Sequence, residues 1–269
     1  MNLDKVHKLQ HMGLGPVWVR RLGATAGVAA DSGSASASGL DTASASASVS
    51  AVDSVDSLPS VVEAGMISPW NNPQNSAHAN LDWDALEDSI RTCRQCGLCQ
   101  GRKHAVPGVG DRAARWLFVG EGPGRNEDLQ GEPFVGPAGK LLDNMLRALG
   151  LSRGQDTYIA NIVKCRPVGT DGKDRPPSPD EIGACMPYLR RQIALIRPQV
   201  IIALGKTAAV SLLGLPTETA LAGLRGAPRE FDGIPLVITY HPAYLLRQPA
   251  DKAKTWRDLC LAKSIIDAV

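Results

Sequence analysis

Four short apolar runs punctuate the chain from its middle onward, at residues 116–119, 158–163, 200–204 and 236–240, and none contains a charged side chain. Runs of this length without polar alternation predict strands buried on both faces. Between them, residues 138–149, 179–196, 206–213 and 251–268 repeat apolar positions at helical spacing, and a more polar helix is predicted at 81–91. The 179–196 segment carries the fullest set of signals. Ser178 is placed to cap it, Pro179 takes the first helical position and Glu181 completes a capping box; Ile182, Cys185, Met186, Leu189, Ile193 and Ile196 then share one inward stripe. Strands alternating with helices predict an α/β fold, a three-layer α/β/α sandwich around a short, mainly parallel four-stranded sheet. In such sheets ligands sit beyond the carboxyl ends of the strands.

The first third lacks this pattern. Residues 31–50 hold eight Ser and five Ala, too little apolar surface to offset the entropy of ordering. The chain therefore divides into a short segment at 1–22 with an apolar patch at Val17, Trp18 and Val19, a disordered Ser/Ala-rich linker at 23–80, and a folded domain at 81–269. Residues 1–22 read either as a docking peptide for a protein partner, tethered by the linker, or as a frayed end without function, the commoner case. No apolar run approaches the ~18 residues of a membrane span, and Asp4, Lys5, His7 and Lys8 exclude a signal-peptide core. These features predict a soluble, intracellular, cytoplasmic chain that does not enter a membrane. Net charge changes the picture little: +2 for the whole chain, with 25 Lys and Arg against 21 Asp and Glu in 81–269. Any nucleic-acid contact must come from local patches.

Chemistry concentrates in two places. Residues 120–142 form a glycine-dense loop with carboxylates and one Phe between a strand and a helix, where backbone can approach a ligand closely. Around it stand Cys93 and Cys96 in a C-x-x-C, Cys99 soon after, Cys165 at a strand end and Cys185 on the inward helix stripe; Cys260 is isolated. Clustered thiols in an intracellular chain point to a metal or a redox pair, and spacing leaves zinc and an iron–sulfur cluster equally open. Cys99 is set aside, although it could replace a neighbour as ligand.

Five ordered blocks, Cys93-x-x-Cys96-x-Leu98-x-x-x-Arg102, residues 120–142, residues 161–167 (NIVKCRP), the helix start at 177–189, and residues 241–247 (HPAYLLR), resemble the family 4 uracil-DNA glycosylases of the uracil-DNA glycosylase superfamily over residues 88–265. The resemblance implies the three-layer fold and excision of uracil from single- or double-stranded DNA to begin base excision repair. It also implies a structural [4Fe-4S] cluster on Cys93, Cys96, Cys165 and Cys185. Residues 168–173 stand as a small insertion before the last of these ligands.

On this resemblance the residues take roles. Phe134 is a stacking platform for a flipped base, and the Asn161 amide pairs with the uracil edge, whose donor and acceptor are reversed in cytosine. His241 hydrogen-bonds a uracil carbonyl oxygen as charge grows on the departing base. Glu121 and Glu127 are the carboxylates available to orient water or offset the sugar cation. In a sister family the position of Gly122 is an Asp that handles water and that of Gly124 a Tyr that blocks thymine. Here the water falls to Glu127, and thymine exclusion has no named residue. Leu245 or Leu246 wedges into the vacated stack, while Arg247 and Lys206 meet phosphates. Rival readings are a redox protein, a non-catalytic iron–sulfur nucleic-acid-binding module, and a sister glycosylase with another base preference.

Overall fold

The computed structural model describes residues 78–268, so the docking segment and nearly all of the linker lie outside the described residues. The folded part starts earlier than residue 81: His78 is buried and stacks on the Tyr188 ring at 4.2 Å.

All four predicted strands are present and parallel to one another: β2 (Trp116–Gly120), β3 (Thr157–Asn161), β4 (Val200–Leu204) and β6 (Ile234–Thr239). Two short antiparallel edge strands, β1 (Val109–Gly110) and β5 (Arg229–Phe231), extend the sheet to six in the order β1-β3-β2-β4-β6-β5. Their brevity hides them from periodicity, since two or three residues show no pattern, and short strands blunt an otherwise open edge.

Side-chain alternation along the strands divides the core. Leu117, Val119, Ala160, Ile201, Ala203, Leu236 and Ile238 face one layer, with α1 (Trp83–Thr92), α5 (Pro179–Ile196) and α6 (Lys206–Leu213). Trp116, Phe118, Ile159, Ile202, Leu204 and Val237 face the other, with α4 (Pro137–Leu149) and α9 (Lys252–Asp267). Both faces are thus covered, as a parallel sheet requires. Short helices α2 (Leu98–Gly101), α3 (Arg125–Gln130), α7 (Leu221–Leu224) and α8 (Pro242–Arg247) occupy the connections. The capping box of α5 forms as read, with Glu181 N donating to Ser178 Oγ and Ser178 N to Glu181 Oε2.

From β2 the chain crosses to β3 on one side and returns to β4 on the other. The gap beyond the carboxyl ends of these strands is therefore the natural ligand crevice. One buried ion pair ties the C-terminal helix to this region: Arg225 donates to Asp258 Oδ2 at 2.6 Å, and its guanidinium lies 4.1 Å from the centre of the Tyr240 ring. Asp258→Ala leaves that half-buried guanidinium with the Tyr240 ring but without its carboxylate, and denaturant titration is expected to show a loss of about 1.5–3 kcal/mol.

Candidate active site and cysteine-lined cavity

Strand register brings the first two site residues together. Gly120 ends β2 and pairs directly with Asn161, which ends β3. The two chains continue in step past the strand ends, with Ile162 N donating to Gly120 O and Val163 N to Glu121 O. A Cβ at Gly120 would lie 2.4 Å from Asn161 Oδ1 and 2.6 Å from Phe134 Cζ. Glycine at this position is what lets the amide and the ring converge.

Phe134 carries the strongest local strain of the site, a buried aromatic with φ 56°. That region disfavours bulky L-residues and is held only where surroundings over-determine it. Several contacts do so. Arg153 donates to the carbonyls of Pro133 and Phe134 at 2.8 and 2.9 Å and is itself anchored by Asp143 at 3.0 Å. Glu127 Oε1 accepts the amides of both Val135 and Gly136 at 3.0 Å. Gly139 is packed so closely under the Phe134 carbonyl that no side chain fits there.

Opposite the Phe ring stands His241, with ring centres 5.5 Å apart. It caps α8: Nδ1 accepts the amide of Ala243 at 3.1 Å, so in the neutral ring the proton sits on Nε2. Burial, with help from Arg247, lowers its pKa to about 4, leaving a neutral Nε2–H donor at physiological pH. Gly205, with φ 93°, makes room for it, since a Cβ there would lie 2.9 Å from His241 Cβ.

Asn161, Phe134 and His241 line one cleft of about 360 Å³ with Glu121, Gly122, Glu127, Asp174 and Arg175. Asn161 Oδ1 is buried there without a hydrogen-bond partner. An orphaned buried acceptor costs roughly 1–3 kcal/mol, which a ligand donor would recover.

The two carboxylates are held in different ways. Glu127, expected to manage the water, has one oxygen committed to the Phe134 loop, and its Oε2 fills the space that a side chain at Gly124 would take. Glu121 accepts the Thr207 hydroxyl, and burial raises its pKa above the ordinary carboxylate value. Thr207 was not anticipated, and only the approach of α6 to the β2 end shows it. Asp174 and Arg175 were also missed. The inserted stretch folds into a hairpin bridged between Val168 and Asp174, and this carries both residues to the cleft wall.

Of the two wedge candidates, the structure corrects Leu245, which is fully buried among α4, α9 and the sheet; Leu246 is 46% exposed. Helical rotation by one residue turns one side chain inward and the next out. Lys206 and Arg247 are exposed and line the adjoining part of the cleft.

The four expected cysteines, together with Cys99, line a second cavity between α1, α2, the β3 end and α5. None of the six cysteines forms a disulfide. Arg102 Nη1 donates to Cys165 Sγ at 3.0 Å and Lys164 N to Cys185 Sγ at 3.2 Å. Burial pushes the Cys185 thiol up to about 12. Among the described residues, no three His, Cys, Asp or Glu side chains meet closely enough to hold a metal ion as they stand; the thiols surround a shared space instead.

Residues 107–262 match the Uracil DNA glycosylase superfamily. The chain is similar to the type-4 uracil-DNA glycosylase of Archaeoglobus fulgidus, 43% identical over 175 residues, covering 62% of this chain and 85% of that protein. Similarity to the type-4 enzyme of Pyrobaculum aerophilum is 41% over 189 residues, covering 67% and 93%. The type-4 enzyme of Thermotoga maritima is 41% identical over 186 residues, covering 68% and 94%.

The buried neutral histidine sets a pH dependence. In the unfolded chain His241 binds a proton near its ordinary 6.5, and in the folded one only near 4. As pH falls between these values the unfolded state binds the proton first, so stability is whole above 6.5 and is lost through the window down to 4. Urea titrations at neutral pH and at about pH 4.5 are expected to differ by a component on the order of 2 kcal/mol that His241→Asn removes.

Proposed function

The chain belongs to the type-4 uracil-DNA glycosylases of the uracil-DNA glycosylase superfamily, enzymes of DNA repair, and we propose that it is a monofunctional glycosylase that flips uracil from DNA, hydrolyses its N-glycosidic bond and leaves an abasic site. The observation that carries this reading is the orphaned Asn161 Oδ1 facing a cleft walled by Phe134 and His241.

Uracil N3–H supplies the donor that Asn161 Oδ1 lacks, and O4 accepts from the Asn161 amide nitrogen. Cytosine offers an acceptor and a donor in the opposite order, leaving buried groups unpaired, which discriminates strongly. The base stacks on Phe134, and His241 Nε2–H donates to the carbonyl oxygen that gains charge as the bond to the sugar breaks. A neutral donor suits this step, because the leaving uracil anion is stabilised without a proton transfer that would have to be reversed. Glu121 orients the attacking water: its raised pKa makes it a better proton acceptor near neutral pH, and Thr207 fixes its direction. Glu127 holds the Phe134 loop, and its Oε2 crowds the Gly124 side of the cleft, where a thymine methyl would press. Leu246 fills the space left by the base, and Lys206 and Arg247 meet flanking phosphates.

Cys93, Cys96, Cys165 and Cys185 would hold the [4Fe-4S] cluster. Thiols spread around a common cavity suit a polynuclear group better than one zinc ion, whose ~2.3 Å bonds require the sulfurs to converge on a point. Its contribution is structural, linking the 93–102 segment to the β3 end and α5. The protein acts as a monomer, and residues 1–22 recruit a protein partner.

Purified holoprotein is expected to produce alkali-labile breaks at uracil in an oligonucleotide. His241→Ala should lower single-turnover excision by roughly 10²–10³-fold, and Asn161→Ala should lower it sharply while relaxing the preference for uracil over cytosine. Intact activity in both variants would reject the site. Glu121→Gln is expected to reduce kcat with little change in KM, whereas Glu127→Ala should raise excision of thymine relative to uracil; the reverse pattern would exchange their roles.

A further inference from the structure

One buried charge stands between the base cleft and the cysteine cavity and has no part in the chemistry above. Lys164 follows Asn161 by three residues and immediately precedes Cys165. Its side chain is fully buried, and lysine is almost never fully buried without a paired group. Its ammonium donates to the main-chain carbonyl of Asn161 at 2.8 Å and to Gln192 Oε1 at 2.7 Å, both neutral oxygens. Gln192 lies in α5 and is buried as well, its Nε2 donating to Pro107 O at 2.9 Å and to the Tyr158 hydroxyl at 3.4 Å. A chain of hydrogen bonds thus runs from the helix layer, through one cation, to the peptide of the residue whose side chain faces the base.

Resting on the glycosylase reading, we propose that Lys164 is a positioning residue for base recognition: its ammonium bolts the Asn161 peptide to Gln192, so that the Asn161 amide meets uracil in a single pose. Asn161 needs such a support because it is the last residue of β3, where the ladder ends. Its side-chain oxygen has no protein partner to hold it. Rotation of the Asn161–Ile162 peptide would swing the strand end away from Gly120 and would break a cation–carbonyl bond in a low-dielectric interior, where such bonds are strongest. The ammonium has three N–H donors, and two of them are taken up by these two oxygens. One ammonium thereby joins the Asn161 peptide to the α5 side chain of Gln192.

A double-mutant cycle on the holoprotein tests this, reading single-turnover excision, KM for uracil-containing DNA, thermal melting and the visible absorbance of the cluster. Lys164→Met, similar in length and uncharged, is expected to lower excision roughly 10-fold or more through the chemical step, with KM little changed. In an Asn161→Ala background the same substitution should cost no more than about twofold, because there is no amide left to position. Lys164→Arg should restore part of the loss. An equal loss in both backgrounds would overturn the proposal and make Lys164 a support of the fold or the cluster, as would a loss that tracks cluster absorbance. Should Lys164→Met not fold, Gln192→Leu carries the same cycle with a smaller expected loss, again absent on Asn161→Ala; an additive result overturns the proposal in that form too. A wild-type holoprotein without uracil excision would sink the glycosylase reading and this inference together, whereas an active wild type with an additive cycle sinks this inference alone.

Discussion

A phenylalanine held in a left-handed backbone conformation is the constraint around which the cleft is organised. Positive φ at a bulky residue costs on the order of 1–3 kcal/mol, and Phe134 adopts it because three elements leave its loop no alternative. Glu127 gathers the two following amides, Arg153 grips the two carbonyls, and α4 presents a glycine where any Cβ would collide with the loop. The result is a flat ring presented to the cleft from an irregular segment that is tied down on both sides. Glu127 has a mechanical part in this through Oε1, while its Oε2 lies beside Gly124.

The opposite wall is fixed by close backbone approach rather than by strain at a side chain. Gly120 and Gly205 each stand where a methyl group would strike a functional residue, Asn161 and His241 respectively. Both glycines sit at or just past the carboxyl ends of parallel strands, so the sheet supplies the precision and the glycines supply the clearance. Polar satisfaction completes the arrangement. The His241 ring is held by an amide at Nδ1, Glu121 by a hydroxyl, and the Asn161 peptide by a buried ammonium, while Asn161 Oδ1 is buried in the cleft lining without a hydrogen-bond partner. Buried polar atoms without a partner are few among the described residues, and Asn161 Oδ1 is the one that belongs to a residue lining this cleft.

Two sites that are far apart in chemistry are neighbours in the chain. Asn161 and Cys165 are four residues apart, one facing the base cleft and the other the cysteine cavity, with Lys164 between them. Whatever fills the cysteine cavity therefore borders the segment that supplies Asn161 to the cleft. This gives a structural group a route to influence recognition without entering the reaction.

Much of this was readable from residue order. The four parallel strands, the long helices, the α5 capping box and the inward placement of Cys185 follow from local periodicity and capping chemistry, which act over a few residues and survive any tertiary arrangement. Asn161 and His241 were recognisable because each stands at or just past a strand end, and Phe134 because it lies on a glycine-flanked loop. The rest depended on contacts between distant segments. Thr207 on Glu121, Gln192 on Lys164, and Asp174 and Arg175 in the cleft wall join residues that no local spacing connects. The choice of Leu246 over Leu245 rested on which way α8 is rotated against the core, and the role of Glu127 on where the 134–136 loop closes. Periodicity along a chain specifies which face of an element is buried. Which polar atoms then find one another is settled only when the elements pack, because a hydrogen bond is decided by tenths of an ångström in three dimensions and leaves no period in one.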